Sequence, residues 1–293
     1  MKIKKVLFNV VEFIRGLFSG LGLRKIKFIN GFYHFLFSRL KPDFVEVGGK
    51  KIYFDKFDNS RILNPEFRER ALIDIMRREV KKGDIVVDLG ANIGFYTLFL
   101  ADLVGPNGKV FAFEASPETF SILKKNIEAN NCENVVLEKK CIADKGGFEK
   151  FFIYNDLGSH FSSLSGDLYK AEKKIVSVEV TTISLDEYFK NNPSRIDLIK
   201  MDIEGAENLA LEGMKNIILK NKNVKIITEY APIALKKVSG VRPEQYLINL
   251  KELGFNLSEI DNETLKPVNL KEITDRLTPE NEECSGTNIF CFK

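Results

Sequence analysis

The 293 residues predict an α/β fold in which a mostly parallel sheet carries helices on both faces, and three observations support this. Strand-like and helix-like patterns alternate from residue 43 onward, the rhythm of repeated βα units. The run Ile85–Leu89 is β-branched and does not alternate with polar residues, as in a strand covered on both faces. Directly after it, Gly90 and Gly94 turn the chain into an apolar, helix-like stretch.

The elements follow in order. Phe44–Val47 and Lys51–Phe54 flank Gly48-Gly49 and predict a hairpin. Asn64-Pro65 offers a helix start, with Leu72, Ile75, Met76 and Val80 at helical spacing up to Gly83. Ile85–Leu89 is a strand, 93–104 a helix, and Lys109–Glu114 a second strand. Ser116-Pro117 starts a helix that places Phe120, Leu123 and Ile127 on one face. Val135–Ile142 reads as the third strand. Residues 148–185 then break the rhythm with two strands, Phe148–Tyr154 and Lys174–Leu185, around a polar loop at 155–167. The alternation resumes with a strand at 196–203 and one helix carrying Ala206, Leu209, Ala210, Gly213, Met214 and Ile217. A strand at 224–229, a helix at 243–253 and strands at 255–260 and 287–292 complete the series, with 261–283 as an acidic loop.

Composition narrows the functional classes. With 44% hydrophobic and 29% charged residues the chain suits a globular protein with a sizeable core. A net charge of +3 is too small to argue for nucleic acid, but it is unevenly placed. Residues 1–41 hold nine Lys/Arg and only Glu12, a net +8, which leaves −5 on the other 252 residues. Two units result: a basic, Phe-rich amphipathic segment at 1–41, and one domain at 42–293 with an inserted hairpin and loop at about 148–185. The first either lies against an anionic membrane surface or packs as helices on the domain or a partner. Cys132, Cys141, Cys284 and Cys291 form no C-x-x-C pair, and with only His34 and His160 no zinc spacing exists. A reduced, cytoplasmic protein without a signal peptide or membrane-spanning segment is expected.

The chemistry concentrates at VVDLGANIGFYT, residues 86–97. A buried strand ends in Asp88 and a tight turn delivers the chain to a helix, whose N-terminus supplies unsatisfied N–H groups. Glu114, twenty residues past Gly94, ends the next strand, where a carboxylate can accept both hydroxyls of a ribose. A dinucleotide site prefers G-x-G-x-x-G; here Asn92 stands at the second glycine position, which disfavours an NAD-dependent oxidoreductase. A carboxylate at Asp88 suits an amino-acid ammonium better than a phosphate, so S-adenosylmethionine matches both acids.

VVDLGANIGFYT, FAFEASPE, the segment Ile199-Lys200-Met201-Asp202-Ile203-Glu204-Gly205-Ala206-Glu207, Ser184-Leu185-Asp186 and Gly286-Thr287-Asn288-Ile289-Phe290 together resemble the FkbM-type family of class I S-adenosylmethionine-dependent methyltransferases. The resemblance covers about residues 44–293. It implies a Rossmann-like sheet of seven strands with an antiparallel last strand, and methyl transfer to oxygen, often on sugar, glycolipid or secondary-metabolite hydroxyls. The cofactor set it implies is Asp88, Gly90, Asn92, Gly94, Tyr96, Glu114, Ala115, Asp144 and Asp202.

For the transfer itself, a hydroxyl is a poor nucleophile and a nearby general base contributes about 10²–10⁴-fold. Asp202 is the first candidate and Glu204 the second, since period-2 geometry points both to one side. Glu204 equally suits a helix N-terminal cap, and Glu207 a first-turn helix acid. Glu229, ending the next strand, adds a third acid on that edge, and three acids there could instead hold a divalent metal. Lys200, in a buried strand, is expected to pair with one of them. His160, in the inserted loop, is either a further base or an idle loop residue. The sequence thus reads as a methyltransferase for a small-molecule or glycan hydroxyl, the acceptor lipid-linked if 1–41 meets a membrane. A nucleic-acid methyltransferase is the first alternative, disfavoured by the −5 of the body and the lack of a D/N-P-P-Y/F motif.

Overall fold

The structure, a computed structural model, describes residues 43–54, 70–154, 162–168, 175–191, 195–261, 264–277 and 286–293. The basic segment 1–41, the Asn64-Pro65 helix start and His160 lie outside the described residues.

The elements in chain order are strands β1 (Phe44–Val47) and β2 (Lys50–Tyr53), helix α1 (Arg70–Glu79), β3 (Ile85–Leu89), α2 (Phe95–Val104), β4 (Lys109–Phe113), α3 (Pro117–Ala129) and β5 (Val135–Glu138). Next come β6 (Cys141–Ile142), β7 (Gly147–Tyr154), β8 (Ser162–Ser163), β9 (Ile175–Ile183), α4 (Leu185–Tyr188) and β10 (Leu198–Met201). Then follow α5 (Glu207–Glu212), α6 (Lys215–Lys220), β11 (Lys225–Tyr230), α7 (Pro232–Val238), α8 (Pro243–Glu252), β12 (Asn256–Asp261), β13 (Thr264–Pro267), α9 (Leu270–Arg276) and β14 (Thr287–Phe292).

Among the described residues the main sheet has eight strands in the order β13-β12-β14-β11-β10-β3-β4-β5. Strands β11, β10, β3, β4 and β5 run parallel, and β14 enters antiparallel between β11 and β12. This is the expected seven-stranded mixed sheet with one strand more: β13 folds back on β12 as an antiparallel edge. Val87, Leu89, Ile199, Met201 and Ile226 point to one face and pack with α5, α6 and α8. Val86, Val110, Leu198 and Ile227 point to the other and pack with α1 and α2. Every residue of β10 is buried, as a strand covered on both faces requires.

The insertion forms a sheet of its own, β6-β9-β7-β8. This corrects the reading of Val135–Ile142 as one strand. The chain leaves the main sheet after Glu138, and Cys141 and Ile142 pair with Thr182 and Ile183 of β9. β5 is an edge strand, so no further neighbour holds residues 139–142 in the main sheet, whereas the insertion buries both Cys141 and Ile142.

Two further expectations change. The single helix through Ile217 is two short ones, because Gly213 sits against the Ala143 carbonyl and the Asp186 carboxylate accepts from the N–H groups of Asn216 and Ile217, starting α6 afresh. The acidic loop at 261–283 holds β13 and α9 in its described part, and a further helix, α7, starts at Pro232. The β1–β2 hairpin is tied down at a distance. Asn126 of α3 accepts from the Tyr53 N–H (2.7 Å) and donates to the carbonyls of Tyr53 (2.9 Å) and Ile93 (2.7 Å).

Candidate active site

The site lies at the carboxyl ends of β3, β4, β10 and β11, where a doubly wound sheet receives its ligand. Register places the groups. Lys200 stands beside Asp88 of β3 and Ile227 of β11, so one step further Asp202 lies between Gly90 and Glu229. In a period-2 strand Asp88, Lys200 and Glu229 share the face that carries α1 and α2, and Glu114 and Asp202 continue it just past their strands.

The turn after β3 is built tightly. Gly90 adopts φ +72, and a Cβ there would lie 1.9 Å from the Asp202 carbonyl oxygen, so only glycine fits. The N–H groups of Gly90 and Ala91 both donate to the Phe113 carbonyl, at 3.1 and 2.9 Å, and bind the turn to β4. Asn92 takes a left-handed φ of 51 and its N–H donates to Glu114 Oε2 at 2.9 Å, while Oε1 accepts from the Ser116 N–H at 2.8 Å. Each oxygen of Glu114 keeps a second lone pair, the arrangement two neighbouring hydroxyls need. Burial pushes this carboxyl up to about 7, against the pull of its two backbone hydrogen bonds and of Lys200. Gly94 is the N-cap of α2, and no side chain makes a capping hydrogen bond to the helix end.

Asp88 lies beneath the turn, 0% exposed. Its Oδ2 accepts from Thr97 Oγ1 at 2.7 Å, and Oδ1 lies 3.3 Å from Lys200 Nζ. It therefore orders the turn and α2 from below rather than presenting a free carboxylate on the open side. Lys200 also donates to the Gly90 carbonyl (3.2 Å), reaches Asp202 Oδ2 at 3.8 Å and lies over the Tyr96 ring. Of the edge acids expected to pair with Lys200, Asp202 lies at 3.8 Å, but the nearer partner is Asp88 at 3.3 Å, an acid outside that expectation.

Asp202 itself is open to solvent, its side chain 45% exposed. Ile203, Glu204 and Gly205 then form a strained turn, with Glu204 at φ 53. Glu204 is not a helix cap: α5 begins at Glu207 with Ala206 at its N-cap position. Three anchors hold the turn. Ser163 Oγ of the insertion donates to the Glu204 carbonyl at 3.0 Å, Ser239 Oγ donates to the Gly205 carbonyl, and the Ile203 N–H donates to Glu207 Oε1 at 2.9 Å. Glu207 is fully enclosed, and burial pushes its carboxyl up to about 7. Glu229 is held well above the carboxylate range by burial, then by the charges of Asp202, Glu204 and Glu207.

Of the remaining predicted residues, Ala115 packs on the cluster of Cys141, Phe151, Ile153 and Val180, and Asp144 stands exposed in the bend after β6. Among the described residues no three His, Cys, Asp or Glu side chains are disposed to hold a metal ion, so the metal reading has no ligand set there. Sequence reasoning missed Ser163, whose role depends on a contact 41 residues away, and Thr97, whose hydroxyl completes Asp88.

The model of the FkbM methyltransferase domain family matches residues 88–257, more than half of the chain. The chain belongs to this family. This FkbM methyltransferase is similar to methyltransferase sdnD of Sordaria araneosa, 25% identical over 217 residues that cover 65% of this chain and 80% of that protein. It is also similar to the 31-O-demethyl-FK506 methyltransferase FkbM of Streptomyces tacrolimicus, 26% identical over 163 residues. That match covers 47% of this chain and 62% of the relative, less than two thirds of its length. Among solved structures, an S-adenosylmethionine-dependent O-methyltransferase from Thermotoga maritima superimposes with a TM-score of 0.44 at 18% identity, covering 85% of this chain and 77% of that one.

The family's cofactor is S-adenosylmethionine, and this methyltransferase uses it. The site fits that group in the chemistry of its donors: a buried carboxylate with open lone pairs at Glu114, and a helix start at Gly94 to which no side chain hydrogen-bonds as a cap. Among the described residues no helix is long and apolar enough to cross a membrane.

Proposed function

We propose that this FkbM methyltransferase transfers methyl to a hydroxyl of a carbohydrate, glycolipid or related small molecule, with Asp202 as the acceptor-side base. The observation that carries this reading is Asp202: the solvent-open carboxylate directly beside the Gly90 turn. Glu114 would hold the ribose hydroxyls, and the Gly90–Gly94 turn with Tyr96 would enclose the rest of the cofactor. When bound, S-adenosylmethionine supplies an electrophilic methyl on a sulfonium. Asp202 would orient the acceptor hydroxyl and take its proton as the oxygen bonds to the methyl carbon and the methyl–sulfur bond breaks, leaving S-adenosylhomocysteine. Glu204 and Glu229 border the acceptor.

Four acids, Asp202, Glu204, Glu207 and Glu229, crowd this edge around Lys200. Burial moves Glu207 and Glu229 toward their neutral forms, so the negative charge here rests with Asp202 and Glu204, which oppose a phosphate and support a neutral acceptor over nucleic acid. The name of the Streptomyces relative, an O-methyltransferase of a small molecule, supports the same choice. We place the protein in the cytoplasm, with 1–41 at the membrane surface beside a lipid-linked acceptor; deletion of 1–41 should then abolish partition onto anionic liposomes. The deciding experiment is incubation with labelled S-adenosylmethionine and fractionated cell extract. Label is expected in a base-stable ether of a neutral glycan or small-molecule fraction, and label confined to nucleic acid would overturn the reading.

A further inference from the structure

Lys200 is a charged side chain sealed inside the sheet, and its surroundings span the site. Its ammonium touches Asp88 and the Gly90 carbonyl on β3 and its turn, the Tyr96 ring on α2, and Asp202 at the end of its own strand. Ile227, its register neighbour on β11, is apolar. A buried ammonium is unfavourable unless its partners compensate, and an apolar residue at such a place is often as stable or more so. The charge therefore calls for a reason beyond packing.

We infer that Lys200 is a positioning residue for the cofactor: its ammonium fixes the carbonyl of the Gly90 turn and serves as the counter-charge that lets Glu114 act as an ionised ribose clamp. This rests on the reading of Glu114 as that clamp.

The geometry joins the two. Lys200 holds Gly90, the Gly90 and Ala91 N–H groups hold Phe113, and Glu114 follows Phe113 directly. The groups around Glu114 are the N–H of Asn92, the N–H of Ser116, Lys200, Asp88 and the buried Cys141 thiol. Of these, the ammonium and the two N–H groups favour the carboxylate, while Asp88 opposes it. With Lys200 present the carboxyl sits at about 7, so it is divided between its two forms near neutrality. Removing the ammonium moves that balance toward the acid, which can no longer accept two hydroxyls. The same charge favours ionised Glu229 across the sheet, which ties the acceptor edge to the same residue.

The test uses the full chain and S-adenosylhomocysteine as the probe, with affinity measured by calorimetry across pH. In the wild type the affinity should fall as pH drops through about 7. Lys200→Gln keeps a hydrogen-bond donor for the Gly90 carbonyl but no charge. Its midpoint should move up, with binding several-fold weaker at neutral pH. Lys200→Arg should keep the wild-type midpoint. A merely structural lysine would lower the melting temperature without moving the midpoint, and an unmoved midpoint in folded Lys200→Gln, or in Lys200→Met should Gln not fold, overturns the proposal. A wild type whose affinity does not change near pH 7 overturns the Glu114 reading instead. In that case the apoprotein still decides on Lys200. In a Glu229→Gln background, which removes the other acid that Lys200 acts on, melting temperature should decline as pH rises to about 7, and the decline should extend to higher pH on adding Lys200→Gln; coincident curves overturn the proposal.

Discussion

The two edges of the sheet proposed for the cofactor and for the acceptor are built in opposite ways. The first is local: twelve consecutive residues give the strand, the turn and the helix start, and the acid twenty residues on completes it. The second is assembled from afar. Its turn at Asp202–Gly205 depends on Ser163 from the insertion, Ser239 after α7 and Glu207 of α5. A local site fails when its backbone is disturbed. An assembled one can lose its geometry piece by piece, so the same kind of mutation should have different reach on the two edges.

The sharpest break should come at the seam between them. Gly90→Ala places a Cβ 1.9 Å from the Asp202 carbonyl oxygen and forces a left-handed φ on alanine, so both edges must shift. Calorimetry is expected to show no binding of S-adenosylhomocysteine, and near wild-type affinity would refute the tight turn. Next, Asp202→Asn should lose about 10²–10⁴-fold in transfer rate while binding the cofactor product normally. Unchanged turnover would remove Asp202 from the chemistry.

Glu114→Gln should weaken S-adenosylhomocysteine by about 10–100-fold, since charged hydrogen bonds contribute about 1.5–3 kcal/mol, and should erase the pH dependence near 7. Ser163→Ala is the smallest change. It removes one hydrogen bond to Glu204, about 1 kcal/mol, and should lower the melting temperature slightly and slow transfer without altering cofactor affinity. Equal effects on affinity and transfer would mean that the two edges are not separable.

Stability and binding should also respond to pH in opposite senses. Glu114 and Glu207 both sit at about 7, above the 4.5 of an exposed glutamate. The folded state therefore binds protons more tightly than the unfolded chain between these values. Apoprotein stability is greatest below about 4.5 from these two groups and is lost as pH rises to about 7. With Glu114 as the proposed ionised ribose clamp, cofactor affinity should instead rise over the same range. Thermal melts with and without S-adenosylhomocysteine would show the two curves diverging.

The same contrast explains what the sequence could reveal. The Gly90 turn, Glu114 and the Ser116 cap were readable because each is a short-range pattern with one physical solution. The pairing of Lys200 with an acid followed from its buried strand, but the choice of Asp88 over Asp202 depends on strand register. Glu204 as a helix cap was a reasonable inference from an acid before a helical pattern. The helix in fact starts three residues later, because the intervening turn is bound to Ser163 and Ser239. The break at Gly213 and the departure of Cys141 toward the insertion likewise depend on neighbours distant in sequence, and no periodicity records them.

The position of β14 carries a consequence for how this enzyme is made. β14 slots between β11 and β12, both of which are translated before it. Until residues 287–292 leave the ribosome, β11 and β12 each have an open edge, and Glu229 lacks the neighbour Asn288 that flanks it in the finished sheet. The cofactor turn can close early in synthesis, whereas the acceptor edge must wait for β14. A chain cut before Thr287 would therefore retain the motif that names its family yet expose two open strand edges, a template for aggregation rather than a slower enzyme.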